Sequence, residues 1–209
     1  MNGPSAGDKF QTEWIMLENL KKYHIVLASN SPRRRELLVG LYVDYEVRVL
    51  KDVDETYPEG LPGEEIPQYI SRKKAEAYSR TMRDDELIIT ADTIVWADGE
   101  VLGKPVDEAD ARRMLKALSG RTHRVITGVT LTTREAGSRT FATVSEVTFD
   151  TLTDEEIDYY VERYRPMDKA GAYGIQEWIG YVGVTSLSGS YFNVMGLPVQ
   201  RLYKELKKL

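Results

Sequence analysis

The segment LASNSPRRRELL, Leu27 to Leu38, places Ser29, Ser31 and three consecutive arginines, Arg33, Arg34 and Arg35, around a Ser-Pro pair that ends an apolar run. A helix N-terminus carries partial positive charge and unpaired N–H groups, so arginines in its first turn oppose the helix dipole unless an anion is present. Two serine hydroxyls, the N–H groups of Arg33 and Arg34 and two guanidinium forks would suit a phosphate. A solvated basic helix face is the plain alternative. Asp92, within ITADTIV, is a second candidate: a carboxylate at a strand end can hold a metal or activate water, or simply make a turn. Asp54 and Glu55 could complete a metal shell, because Mg²⁺ takes one or two carboxylates and fills its remaining positions with phosphate oxygens and water. Lys74 and Lys104 would add positive charge, the latter aimed by its neighbours Gly103 and Pro105, although lysines are most often solvated stems. Arg121 and His123 are read as closing a turn.

These residues need elements to hold them. His24 to Ala28 reads as a buried strand, after which Ser31 is the N-cap and Pro32 the first residue of a helix with Leu37, Leu38 and Leu41 on its apolar side. That order aims the helix end at the carboxyl edge of a sheet, where α/β ligands bind. Tyr45 to Leu50 alternates as a strand, and the loop DETYPEGLPG leads to a helix over Glu64 to Arg80. Glu86 to Leu102 reads as a strand, a break at Ala91-Asp92-Thr93, and a hairpin turned by Asp98-Gly99. A helix over Asp107 to Leu118 precedes two paired β runs, Thr122 to Thr133 and Thr140 to Phe149. Thr153 and Glu156 form a capping box, Gly171 to Gly189 reads as loop and short strand, and Pro198 to Lys208 as a final helix. Strands and helices alternate without a fixed period, which favours a mixed α/β sheet.

Composition narrows the chemistry. The 209 residues are 42% hydrophobic and lack cysteine, which excludes disulfides, thiol catalysis and thiolate metal sites. With two histidines a multi-histidine zinc site is disfavoured, leaving a hard cation on carboxylates. A net charge of −5 argues against a nucleic-acid partner, and a local arginine cluster in an acidic chain points instead to a small anion. No apolar run approaches the length of a membrane span and no signal peptide is evident, so the cytoplasm is expected. Residues 1–22 are expected to be a leader or expression remnant, and residues 23–209 one domain.

Six ordered blocks, LASNSPRRRELL, KAEAY, ITADTIV, GKPVDEADARRMLKALSGRTHRVITGV, DKAGAYGIQ and GSYFNVMGLPV, resemble the Maf family of nucleoside triphosphate pyrophosphatases over about Tyr23 to Leu206. The resemblance implies an elongated mixed β-sheet flanked by helices, in two lobes around a central cleft, as in inosine-triphosphatase-like proteins. It also implies Mg²⁺ or Mn²⁺, hydrolysis to the monophosphate and pyrophosphate, and members that often form homodimers. Carried across by motif, the general base falls on Asp92 and phosphate-binding groups on Ser29, Arg33, Arg34, Lys74 and Lys104. The additional acid is Glu55, and specificity positions are Arg33, Thr93 and Gln176. DKAGAYGIQ is similar to the branch acting on dTTP and UTP, although Glu177-Trp178-Ile179-Gly180 is bulkier than the small residues often found there. The rival readings are a nucleotide-binding regulator of division or septum formation without turnover, and a nucleic-acid module using Arg33 to Arg35.

Overall fold

A computed structural model describes residues 16–51 and 53–209. Residues 1–15 of the expected leader lie outside the described residues, but the segment that follows joins the fold. Leu17 and Leu20 are buried in the main core, and the Asn19 amide donates to the Leu206 carbonyl at 2.8 Å. No described helix is long and apolar enough to cross a membrane.

The chain builds one seven-stranded mixed sheet with β1 (His24–Leu27), β2 (Glu46–Val47), β3 (Glu86–Ala97), β4 (Glu100–Leu102), β5 (Thr122–Thr133), β6 (Gly137–Phe149) and β7 (Val184–Ser188). Its order is β2-β1-β3-β5-β6-β7, with β4 pairing β3. The β1 strand runs parallel to both β2 and β3, whereas β3, β5, β6 and β7 form an antiparallel series. The helices are α1 (Pro32–Val39), α2 (Ile66–Ser79), α3 (Glu108–Leu118), α4 (Asp154–Tyr164), α5 (Trp178–Gly183), α6 (Tyr191–Met195) and α7 (Val199–Leu206).

Side-chain alternation assigns the two faces. Leu87, Ile89, Ala91 and Val95 of β3 and Val125, Val129 and Leu131 of β5 enter the larger core with α3, α4 and α7. Ile88 packs with Tyr78 of α2, and Ile94 and Ile126 pack with Ile66 and Ile70 at the start of that helix.

Three expectations are corrected. There is no break at Ala91-Asp92-Thr93: β3 is continuous, with β5 paired to it residue by residue from Leu87 to Trp96. A full ladder on one edge outweighs the local turn preference of an Ala-Asp pair. Tyr45 to Leu50 shrinks to the two residues of β2, because the Tyr78 hydroxyl receives the Leu50 N–H at 2.8 Å and donates to the Arg48 carbonyl at 3.0 Å. The glycine-rich segment contains a helix, α5, as well as β7. The Ser31 cap with Pro32 behind it and the Thr153–Glu156 capping box both form as expected.

One glycine sets how closely α2 approaches the sheet. A Cβ at Gly128, opposite Asp92 in the ladder, would lie 2.4 Å from the backbone of Pro67. Backbone atoms cannot yield as a side-chain tip does, so Gly128→Ala should lift the first turn of α2. We expect a loss of roughly 1–3 kcal/mol in unfolding free energy, typical of overpacking, measured by denaturant titration. An unchanged midpoint would show that helix and strand do not pack this closely.

Candidate active site

The site originates in a gap along one edge of β3. On that edge β1 pairs up to Ile89, where the Ala28 N–H still reaches the Ile89 carbonyl at 2.9 Å, and β4 resumes pairing at Val95. Ala91 and Thr93 therefore have no strand neighbour there. The Arg34 guanidinium occupies this place. Its Nη1 donates to the Ala91 carbonyl at 2.9 Å and to Ser29 Oγ at 3.4 Å, its Nη2 to Thr93 Oγ1 at 3.0 Å, and its Nε to the Gly196 carbonyl at 2.8 Å. Burial lowers its pKa against the raising influence of Asp92, but from a value so high that the group stays charged. Thr93 is committed likewise, with its hydroxyl also 2.9 Å from Thr127 Oγ1. Of the two N–H groups expected to face an anion, that of Arg34 is taken by the capping Ser31 Oγ at 3.4 Å. Ser29 Oγ receives the Ser31 N–H at 3.2 Å.

On the α2 face, Lys74 brings two acids together. Its Nζ lies 2.9 Å from Asp92 Oδ1 and 3.0 Å from Glu55 Oε1. Lys74 and Asp92 are largely shielded, whereas Glu55 is half exposed. Asp92 Oδ2 has no hydrogen-bond partner among the described residues. Asp54 diverges from this cluster. It is held at 2.6 Å by Lys73, whose hydrogen bond, with a backbone N–H from Thr56, lowers the Asp54 pKa strongly.

A cavity of about 600 Å³ opens over the gap. It is lined by five cationic side chains, Arg33, Arg34, Lys74, Lys104 and Lys169, and by three anionic ones, Glu55, Asp92 and Asp168. Lys104 is exposed and has no ion-pair partner among the described residues. Arg33 donates to Asp168 Oδ2 at 2.7 Å and to the Asp168 carbonyl at 3.3 Å. Burial pushes the Asp168 pKa up, but hydrogen bonds from Lys169 and Arg33 prevail and take it down to about 2.

Gln176 lines the far side of the cavity, and its buried Oε1 has no hydrogen-bond partner. The structure thus gathers Ser29, Ser31, Arg33, Arg34, Glu55, Lys74, Asp92, Thr93, Lys104 and Gln176 around one cavity. Sequence reasoning missed Asp168, Lys169, Glu177 and Tyr160. The nearest signal was the block DKAGAYGIQ itself, whose acid and base are adjacent. Arg121 pairs with Asp98 in the exposed turn, and His123 is buried with Nε2 2.7 Å from the Tyr173 hydroxyl.

The profile of the family described as "Maf-like protein" matches residues 24–209. The chain is 69% identical to the dTTP/UTP pyrophosphatase of Phocaeicola vulgatus, over 93% of this chain and 100% of that one. It is 64% identical to the dTTP/UTP pyrophosphatase of Bacteroides thetaiotaomicron, over the same shares. In fold it resembles the Staphylococcus aureus Ham1 protein, with a TM-score of 0.55 at 16% identity, over 88% of this chain and 98% of that one.

Two measurements test this geometry. Arg34→Lys keeps the charge, but one ammonium cannot replace a fork that serves Gly196, Ala91, Ser29 and Thr93 together. Leaving a buried acceptor unpaired costs about 1–3 kcal/mol, so unfolding free energy should fall by at least ~2 kcal/mol. Wild-type stability would remove Arg34 from the support of β3. The second concerns His123, whose imidazole burial takes down to about 4. The unfolded chain binds the extra proton below about pH 6.5, so this contribution is complete above that pH and is lost as pH falls toward 4. The loss should be on the order of 3 kcal/mol, and His123→Phe should flatten the stability profile across that window. An equal slope in both proteins would assign the acid sensitivity elsewhere.

Proposed function

The chain belongs to the Maf-like protein family, and from that premise we propose that it is a cytoplasmic, metal-dependent hydrolase converting dTTP and UTP to the monophosphate and pyrophosphate. The observation that carries this reading is a cation-lined cavity in an acidic chain, with a largely shielded carboxylate, Asp92, whose Oδ2 has no partner among the described residues. A protein that only sensed nucleotide would have no use for such a base.

Asp92 takes a proton from a water molecule as its oxygen attacks the α-phosphorus. The bond from that phosphorus to the bridging oxygen breaks, and pyrophosphate leaves with its negative charge opposite Lys104, Arg33 and the N-terminus of α1. Lys74 fixes Oδ1 of the base so that Oδ2 faces the cavity. Little covalent chemistry is asked of the protein, and most of the rate enhancement comes from position and charge.

The donor set fits a hard divalent cation. Two carboxylates, Asp92 and Glu55, already converge on one cation, the Lys74 ammonium, and no larger group of His, Asp or Glu suited to a metal is present among the described residues. Mg²⁺ or Mn²⁺ would be held by those two acids together with phosphate oxygens and water, and would supply positive charge against the triphosphate.

On the opposite face of the sheet, Gln176 reads the base. Uracil and thymine present O4 as an acceptor and N3–H as a donor, which an amide NH₂ and the unpartnered Oε1 can both meet.

Incubation with a panel of nucleoside triphosphates and Mg²⁺, separating monophosphate and pyrophosphate from diphosphate and orthophosphate, tests reaction, bond position and base preference together. Asp92→Asn keeps the shape of the side chain without its basicity. It should lower kcat at least ~100-fold while nucleotide affinity stays within a few-fold, and near-normal turnover would exclude Asp92 as the base.

A further inference from the structure

The Gln176 amide makes no hydrogen bond among the described residues, so something other than its own polar contacts must fix it. The chain is anchored on both sides of Gln176, at Gly174 and at Glu177. On one side the Gly174 N–H donates to the Tyr160 hydroxyl at 3.0 Å, and the Gln176 Nε2 packs so close to Gly174 that a Cβ there would lie 3.0 Å from it. On the other side Glu177 turns its carboxylate inward. One oxygen accepts the Tyr160 hydroxyl, and the other lies 3.1 Å from Lys169 Nζ.

Glu177 occupies the N-cap position of α5, yet its side chain makes no capping bond there. An acid that forgoes its local cap for a buried phenol and a buried ammonium is holding the loop to the body of the protein. Tyr160 is wholly buried on α4, and burial followed by Glu177 pushes its pKa far up, which keeps the hydroxyl a neutral donor. Lys169 is buried as well and is shared between Glu177 and Asp168.

We propose that Glu177, clamped between Tyr160 and Lys169, is a positioning residue that sets the lie of the Gln176 amide and thereby the choice among pyrimidine bases. The inference rests on the reading of Gln176 as the base-selecting residue. Glu177 touches neither phosphate nor water in this scheme. Its removal therefore alters which base is accepted, while the phosphorus chemistry proceeds.

The test compares kcat/KM for UTP and CTP in the wild type, Gln176→Ala, Glu177→Ala and Tyr160→Phe. Lys169 keeps Asp168 as a partner in Glu177→Ala, and if that variant does not fold, Tyr160→Phe, which removes only the hydroxyl bonded to Glu177, is judged by the same criterion. The UTP to CTP ratio should fall about tenfold in Glu177→Ala and in Tyr160→Phe, chiefly through KM for UTP, while CTP hydrolysis stays within a few-fold. Glu177→Gln, which can still accept from Tyr160, should recover part of the ratio. A uniform loss for both nucleotides, or a ratio that holds in the Glu177 and Tyr160 variants while collapsing in Gln176→Ala, overturns the inference and leaves Gln176 as the selector. A ratio unchanged in Gln176→Ala overturns the reading of Gln176, and the inference with it.

Discussion

The site depends on a stretch of β3 edge where a guanidinium, that of Arg34, stands in the place of a strand. Where β1 ends, Ser31 and Pro32 turn the chain into α1, while β3 continues for eight residues beyond Ile89, its last partner on β1. An unpaired carbonyl in that position is costly unless a donor replaces the missing strand. Arg34 supplies that donor from the first turn of the helix that created the gap. The gap also lets the cavity reach both faces of the sheet. Asp92 and Thr93 are consecutive in an extended strand and so point to opposite faces, Asp92 toward α2 and Thr93 toward Thr127 and Gly196. The proposed reading uses both faces, with phosphates on the Asp92 side and the base toward Gln176.

The three arginines that opposed the dipole of α1 are each relieved differently. Arg34 answers backbone carbonyls, Arg33 answers Asp168, and Arg35 reaches Asn30 Oδ1 at 2.9 Å. In the proposed scheme the charge offered to phosphate therefore comes less from Arg34, which is engaged by the protein itself, and more from Lys104 and from Arg33 once its partner is displaced. An acidic chain can still attract an anion locally, because five cationic side chains against three anionic ones line this cavity.

Local patterns in the sequence marked what was locally determined. The apolar run of β1, the Ser31 cap with Pro32 and the Thr153–Glu156 box are contacts within a few residues, and each formed. Asp92 was recognised by residue type, but its setting was misread, because the ladder with β5 that keeps the strand whole involves residues more than thirty positions away. The Arg33–Asp168 pair spans 135 residues, and the Lys74–Asp92 contact brings α2 against β3, an approach that Gly128 of a third element permits. No spacing rule reaches that far. Gln176 entered through resemblance alone, and its orphaned carbonyl became visible only once the loop around it was in place.

The network Arg33–Asp168–Lys169–Glu177–Tyr160 joins the two rims of the cavity, but its links are unequal. At the phosphate rim Asp168 is 55% exposed, so its pair with Arg33 is well solvated and screened. At the base rim Lys169 is 9% exposed and Tyr160 fully buried, so breaking a contact there strands a charge or a polar group away from water. Gly180 fixes that rim further, since a Cβ there would lie 1.8 Å from the Ile175 carbonyl. The rim at Gln176 is thus held by buried contacts, whereas the pair at Arg33 is open to solvent. That division suits a site in which the base must be discriminated by geometry, while the triphosphate, a strong anion, can displace Asp168 from Arg33 through charge alone.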